Sequence, residues 1–163
     1  CAITGNGTEE EIETLGQCGK NYGIALQIRN DLTNLIPEEV LQIDGRSQAL
    51  ARTSYEDTKK GIWTYPNIHA ISIGDKNTDR IIRSALGRRD ISDRELIELT
   101  STLLNSGSID ATIGLMEEYK NRASNIIEQM RESEVKYYFL RLLELLENIR
   151  EYVNGFRERF QIK

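Results

Sequence analysis

Apolar residues recur along this chain at three- and four-residue intervals, the spacing of helices that bury one face. Thr8 and Glu11 make a capping box after Gly7, and Glu9, Glu10 and Glu11 oppose the positive end of a helix. Ile12, Leu15, Tyr22, Leu26 and Leu32 follow with no proline before Pro37. The pattern predicts a helix from Thr8 to about Leu35, roughly 40 Å long at 1.5 Å per residue. Gly16, Gly19 and Gly23 fall inside it, each at a small cost in helix stability, and predict a close helix contact or a kink.

Shorter elements follow. Pro37-Glu38-Glu39 opens a short helix, Asp44-Gly45 a turn. Ser54 caps one or two turns reaching Lys60, with Asp57 three residues on. Pro66 sits in the first turn of a helix to about Ile73. Gly74 to Asn77 reads as a loop, and Thr78 caps a helix ending at Gly87. Ser92 and Glu95 form a second capping box for a helix to Asn105, with Gly107 just past its end. Ser108 caps a long helix from Ile109 to about Arg131. A leucine-dense helix from Glu134 to about Asn154 is stopped by Gly155, leaving a loosely held tail from Phe156 to Lys163. No strand pattern competes, so the fold class is all-α, with 1–163 one helical region.

Composition narrows the partners. The 163 residues carry 21 Lys and Arg against 26 Asp and Glu, a net charge of -5, so no basic excess points to nucleic acid. No apolar run is long enough to span a membrane, and no leader is read at the start, so the expected location is cytoplasmic. Two cysteines, Cys1 and Cys18, cannot build a disulfide framework. A single histidine, His69, gives zinc sites and hydrolase triads little support, and reads as a packed core or rim residue. Cys18 reads as core filling.

Two polar clusters remain. Gln27, Asn30, Asp31 and Asn34 fall on one helix face at 100° per residue. The stripe is either a solvated face near a helix end or a site where carboxylate and amide oxygens reach one hard cation. Downstream come Arg52 and then Glu56-Asp57-Thr58-Lys59-Lys60-Gly61. That run is either an ordinary charged turn or a metal-diphosphate contact, the acid on the ion and the cations on phosphate oxygens.

Taken in order, these clusters resemble the C-terminal half of the trans-isoprenyl diphosphate synthases, the polyprenyl synthetase family. That family carries Tyr-Gly, then a glutamine three residues before D-D-x-x-D on a long helix. Tyr22-Gly23, Gln27 and Asn30 to Asn34 occupy those places here. The family's next lysine corresponds to Arg52, and its D-x-x-x-G-K-x-T-L-P to Asp57 through Pro66. Gly107-Ser108-Ile109-Asp110-Ala111 resembles its G-S-I-x-x-A helix start, and Cys1 to Gly5 the end of the helix before the long one.

The resemblance implies an isoprenoid-synthase helical bundle, of which this chain is the C-terminal half and whose N-terminal half lies elsewhere, on the same or another chain. It implies Mg2+, allylic and isopentenyl diphosphate as substrates, and a homo- or heterodimer. By residue it implies Asn30, Asp31, Asn34 and Asp57 on the metal side, and Arg52, Lys59 and Lys60 toward diphosphate. Gln27 and Asp31 would be the catalytic groups. Asn30 and Asn34 stand where the family has aspartates and Ile62 where it has lysine, and no D-D-x-x-D occurs in the sequence. Two further readings share the fold: an inactive or regulatory subunit of a heteromeric synthase, and a terpene cyclase-like relative. A half-bundle is expected to leave apolar faces uncovered on the helices at 8–35 and 109–131.

Overall fold

The computed structural model describes residues 7–41, 54–73, 75–146 and 149–162, and the predicted turn at Asp44-Gly45 lies outside them. Among the described residues all regular structure is helical. In chain order the helices are α1 (Glu9–Asn34), α2 (Glu38–Leu41), α3 (Glu56–Lys60), α4 (Tyr65–Ile73) and α5 (Lys76–Ala85). They continue with α6 (Asp93–Asn105), α7 (Ser108–Glu128), α8 (Glu134–Glu144) and α9 (Ile149–Phe160).

The chain divides into two compact units: Cys1–Gln27 with Gly114–Glu147, and Ile28–Ile113 with Asn148–Lys163. In the first, α1 starts as its pattern predicts. Glu11 N–H donates to Thr8 Oγ1 at 3.2 Å, and Thr8 N–H to Glu11 Oε2 at 2.9 Å. Cys18 is buried, but among the described residues the glycines make no close contact: none lies within 4 Å of a Cβ built at Gly16, Gly19 or Gly23. Helix α7 stops at Glu128, short of the expected Arg131, and Lys136 caps its end. The Lys136 side chain is 13% exposed, and its ammonium donates to the carbonyls of Glu128 at 3.1 Å and Met130 at 3.2 Å while pairing with Glu132 at 2.6 Å. Those are carbonyls a helix end leaves without an internal partner.

In the second unit α4, α5 and α6 pack on one another and α9 packs on α2. Helix α5 begins three residues earlier than expected, since Asp75 and not Thr78 is the cap: Thr78 N–H donates to Asp75 Oδ1 at 2.8 Å. His69 is half-buried, its Nδ1 3.0 Å from Ser108 Oγ.

The C-terminal stretch departs most from expectation. The single leucine-dense helix is two, α8 and α9, and Gly155 lies inside α9. Ile149, Tyr152, Val153 and Phe156 are all buried, so the apolar stripe runs straight through the glycine. A helical glycine costs about 1 kcal/mol, whereas burying a phenylalanine gains about 1.5–3 kcal/mol. The core term wins, and the supposed tail is anchored. Phe156 is fully buried against Phe160 with ring centroids 4.7 Å apart, and Arg157 pairs with Asp110 at 2.8 Å.

Exposed apolar surface also lies elsewhere than expected. The exposed large side chains fall on α4 and the loop before it (Ile62, Trp63, Tyr65, Ile68 and Ile73) and on α8 and its end (Val135, Tyr137, Tyr138, Leu142 and Leu145), not on α1 or α7.

The capping box of α6 supplies a pH test. Ser92 Oγ donates to Glu95 Oε2 at 2.6 Å, and Arg88 Nη1 reaches Glu95 Oε1 at 2.7 Å. The Ser92 hydroxyl and N–H, then Arg88, pull the Glu95 carboxyl from 4.5 down to about 2. Because the folded value is depressed, its stabilisation is complete above pH 4.5 and is lost as the pH falls toward 2. Ser92→Ala is expected to flatten the fall of melting temperature across that window; an unchanged slope would mean the box contributes nothing.

Candidate functional site

The polar stripe of α1 does not present all its members alike. Gln27 and Asn30 are exposed, Asp31 is half-buried, and Asn34 is buried at 7% exposure. Helix amphipathicity explains the gradient: Ile28, Leu32, Leu35 and Ile36 are buried, and Asn34 stands at the end of the helix among them.

What Asn34 does there is specific. Its Oδ1 accepts Asp57 N–H at 2.9 Å, and its carbonyl accepts Tyr55 N–H at 2.6 Å. The two clusters that the sequence separates by 23 positions therefore meet. The turn holding Asp57 is built around Tyr55, the residue before α3, with φ of 58° in the left-handed region. That conformation is uncommon for a bulky residue. Ser54, expected as the cap, instead sends its hydroxyl to Ile36 O at 2.6 Å, and Tyr55 occupies the cap position without a side-chain cap bond.

Tyr55 is held by its ring. The side chain is buried, and its hydroxyl lies 3.0 Å from Thr100 Oγ1 on α6. Burial pushes the Tyr55 phenol above its ordinary value. Thr100, fully buried, donates to Leu35 O at 2.8 Å, so α6 reaches the end of α1 as well. At the other end of α3, Gly61 takes φ of 75°, and Gly87 N–H donates to Thr58 O at 2.9 Å. A Cβ at Gly61 would sit 3.3 Å from Gly87 Cα, tight enough that one of the two backbones would have to give way by a few tenths of an ångström.

The cations divide. Lys60 is exposed and paired with Glu56 at 3.0 Å, and its hydrogen bond holds the Glu56 carboxyl below the ordinary range. Lys59 is half-buried, and its charge adds to the lowering of the Glu56 carboxyl. Arg52 lies outside the described residues. Ile62 and Trp63, where the resemblance expects lysine and its neighbour, are exposed, with the Arg83 guanidinium 5.5 Å from the Trp63 ring centre. An open cleft of the first unit, lined by Glu10, Glu11, Leu15, Ile126, Met130 and Arg131 among others, takes in none of the predicted residues.

Among the described residues no three His, Cys, Asp or Glu side chains gather to hold a cation. Asn34 already spends its oxygen on a backbone N–H. Asp31 is then the one carboxylate of the stripe, with Asn30 beside it, and these residues by themselves do not close a divalent-cation site.

Sequence reasoning missed Tyr55 and Thr100. Thr100 left a signal, a polar residue on the face of α6 that buries Leu96, Leu99, Leu103 and Leu104. Tyr55 left none, because a left-handed tyrosine is imposed by its surroundings.

The sequence model of the Polyprenyl synthetase family matches residues 1–103. An octaprenyl diphosphate synthase of Haemophilus influenzae is 29% identical over 147 residues, 88% of this chain and 41% of the relative. A geranylgeranyl diphosphate synthase of Saccharolobus solfataricus is 26% identical over 130 residues, 80% of this chain and 36% of its own length. A crystal structure of a polyprenyl synthase from Caulobacter crescentus, complexed with calcium and isoprenyl diphosphate, shares the fold. It has a TM-score of 0.71 over 89% of this chain and 42% of that one, at 21% identity. The chain thus spans 36 to 42% of the length of these proteins.

Thr100→Val removes the hydroxyl that serves both Leu35 O and the Tyr55 phenol, leaving two buried polar atoms without it. It is expected to cost about 2–3 kcal/mol in denaturant unfolding, against about 1 kcal/mol for Tyr55→Phe, which leaves the Leu35 bond in place. Equal costs would contradict the shared role of Thr100.

Proposed function

The chain belongs to the polyprenyl synthetase family, and from that premise we propose that it is the C-terminal part of a prenyltransferase. The complete protein condenses an allylic diphosphate with isopentenyl diphosphate. The observation that carries the reading is the junction of the two clusters, Asp57 N–H on Asn34 Oδ1 at 2.9 Å. It puts the stripe bearing Asp31 beside the turn bearing Asp57 and Lys59, in a chain of the right family.

The reaction breaks the allylic C–O bond, releasing diphosphate and leaving an allylic cation. The isopentenyl double bond attacks that cation, forming a C–C bond, and a proton is then lost. The charge that develops on the departing diphosphate calls for fixed positive groups nearby. Lys59, on the same turn as Asp57, is the cation we assign to that role, since Lys60 is engaged with Glu56, and Arg52 would join it. Asp31 and Gln27 line the reacting end, with Asn30 and Asp57 toward the cation that the reaction requires. We assign that requirement to Mg2+, most of whose donors then lie outside the described residues. The N-terminal half of the domain, on the same or another chain, completes the site, and the assembly is a dimer.

A second reading, a non-catalytic subunit of a heteromeric synthase, draws on one observation: the oxygen of Asn34 is engaged in the fold. Pyrophosphate release by the full-length protein from an allylic diphosphate, isopentenyl diphosphate and Mg2+ separates the two. Turnover supports the first reading, and its absence, restored by adding a partner chain, supports the second. Within the first, Asp31→Ala is expected to lower turnover more than tenfold with the melting temperature kept; an unchanged rate would remove Asp31 from the site.

A further inference from the structure

We infer that Asn34 is a joint of the fold and not a cation ligand, and that together with Tyr55 it positions Asp31 against the turn carrying Asp57. The positioning part rests on the reading above; the joint does not.

The joint follows from how the oxygens and N–H groups pair. Asn34 is 7% exposed, its Oδ1 accepts Asp57 N–H at 2.9 Å, and its carbonyl accepts Tyr55 N–H at 2.6 Å. A carbonyl oxygen keeps a second lone pair, but a cation drawn to this one would compete with the Asp57 N–H for the same buried oxygen. Asn34 thereby makes the bonds that a helix-capping side chain makes, directed at a segment 23 residues away.

Tyr55 is the other half of the joint. Its N–H donates to Asn34 O, and the left-handed backbone there, φ 58°, turns the chain that follows so that the Asp57 N–H faces the same residue. The ring is buried and its hydroxyl meets Thr100 Oγ1 at 3.0 Å, which holds the residue in that conformation. Asp31 lies one helical turn before Asn34, on the same helix, so whatever fixes the last turn of α1 fixes Asp31 too. A side chain that looks like a lost ligand by its place in the motif is on this account a positioning residue.

The test uses the full-length protein and two readouts, one independent of turnover. Asn34→Asp keeps an acceptor oxygen and adds a charge. A joint predicts Mn2+ affinity, followed by electron paramagnetic resonance, within twofold of the parent; a gain of fivefold or more would overturn the inference by making position 34 a ligand. Asn34→Ala removes the acceptor and is expected to lower the melting temperature by about 3 °C or more and kcat/KM by at least fivefold. Asn34→Asp should recover most of both. Failure of Asn34→Asp to recover them, or an unaltered melting temperature in Asn34→Ala, would overturn the joint. Should Asn34→Ala not fold, Tyr55→Phe is expected to give the same two losses on a smaller scale, and a parent-like Tyr55→Phe counts against the joint. A parent protein without turnover tells against the catalytic reading alone, since Mn2+ binding and melting still decide the joint.

Discussion

The last turn of α1 is where this structure is held. A helix end leaves its final carbonyls without internal partners, and leaving them so inside a core is costly. Here three of the last four are answered, and so are the two carbonyls that follow. Leu32 O and Thr33 O accept the N–H groups of Leu35 and Ile36, both at 3.1 Å. Asn34 O takes Tyr55 N–H, Leu35 O takes the Thr100 hydroxyl, and Ile36 O takes the Ser54 hydroxyl. Three of the five donors come from far along the chain. Ending α1 and positioning the 54–57 turn are therefore one event, and the Asn34 side chain adds Asp57 to it.

The same logic explains how a five-residue helix persists. Alone, α3 is far too short to be stable. It is gripped at one end by Asn34 and Tyr55, and at the other by Gly87 N–H on Thr58 O, where two left-handed glycines let the backbones touch. Asp57 and Lys59 thus ride on a segment fixed at both ends, and precise placement is what positioned chemistry demands. The chain's second capping box and the Lys136 cap on α7 do the same local service at their own helix ends.

Much of this was legible in the sequence, and the misses have physical causes. Thr8-Glu11 and Ser92-Glu95 are local chemistries, each complete within four residues, and both start their helices as predicted. Gly155 was misjudged because propensity is local while Phe156 is paid for by the core, at a larger magnitude. Asp75 was passed over for Thr78 although the shorter carboxylate caps as well or better. At the candidate site the two clusters are visible in the sequence, but their bond is not. It depends on Tyr55 adopting a backbone that its residue type disfavours, and on Thr100 arriving from a helix 45 residues on.

The family match and the shared fold place the chain among the polyprenyl synthetases, and the Asn34–Asp57 junction gives its two polar clusters a common frame. The most direct test of that frame is hydrogen exchange at the Asp57 amide in the full-length protein. This account predicts slow exchange, with protection lost in Asn34→Leu while the Lys59 amide, bonded to Tyr55 O within the turn, loses less. An Asp57 amide that exchanges at the rate of an unstructured peptide, or one as protected in Asn34→Leu as in the parent, would contradict it.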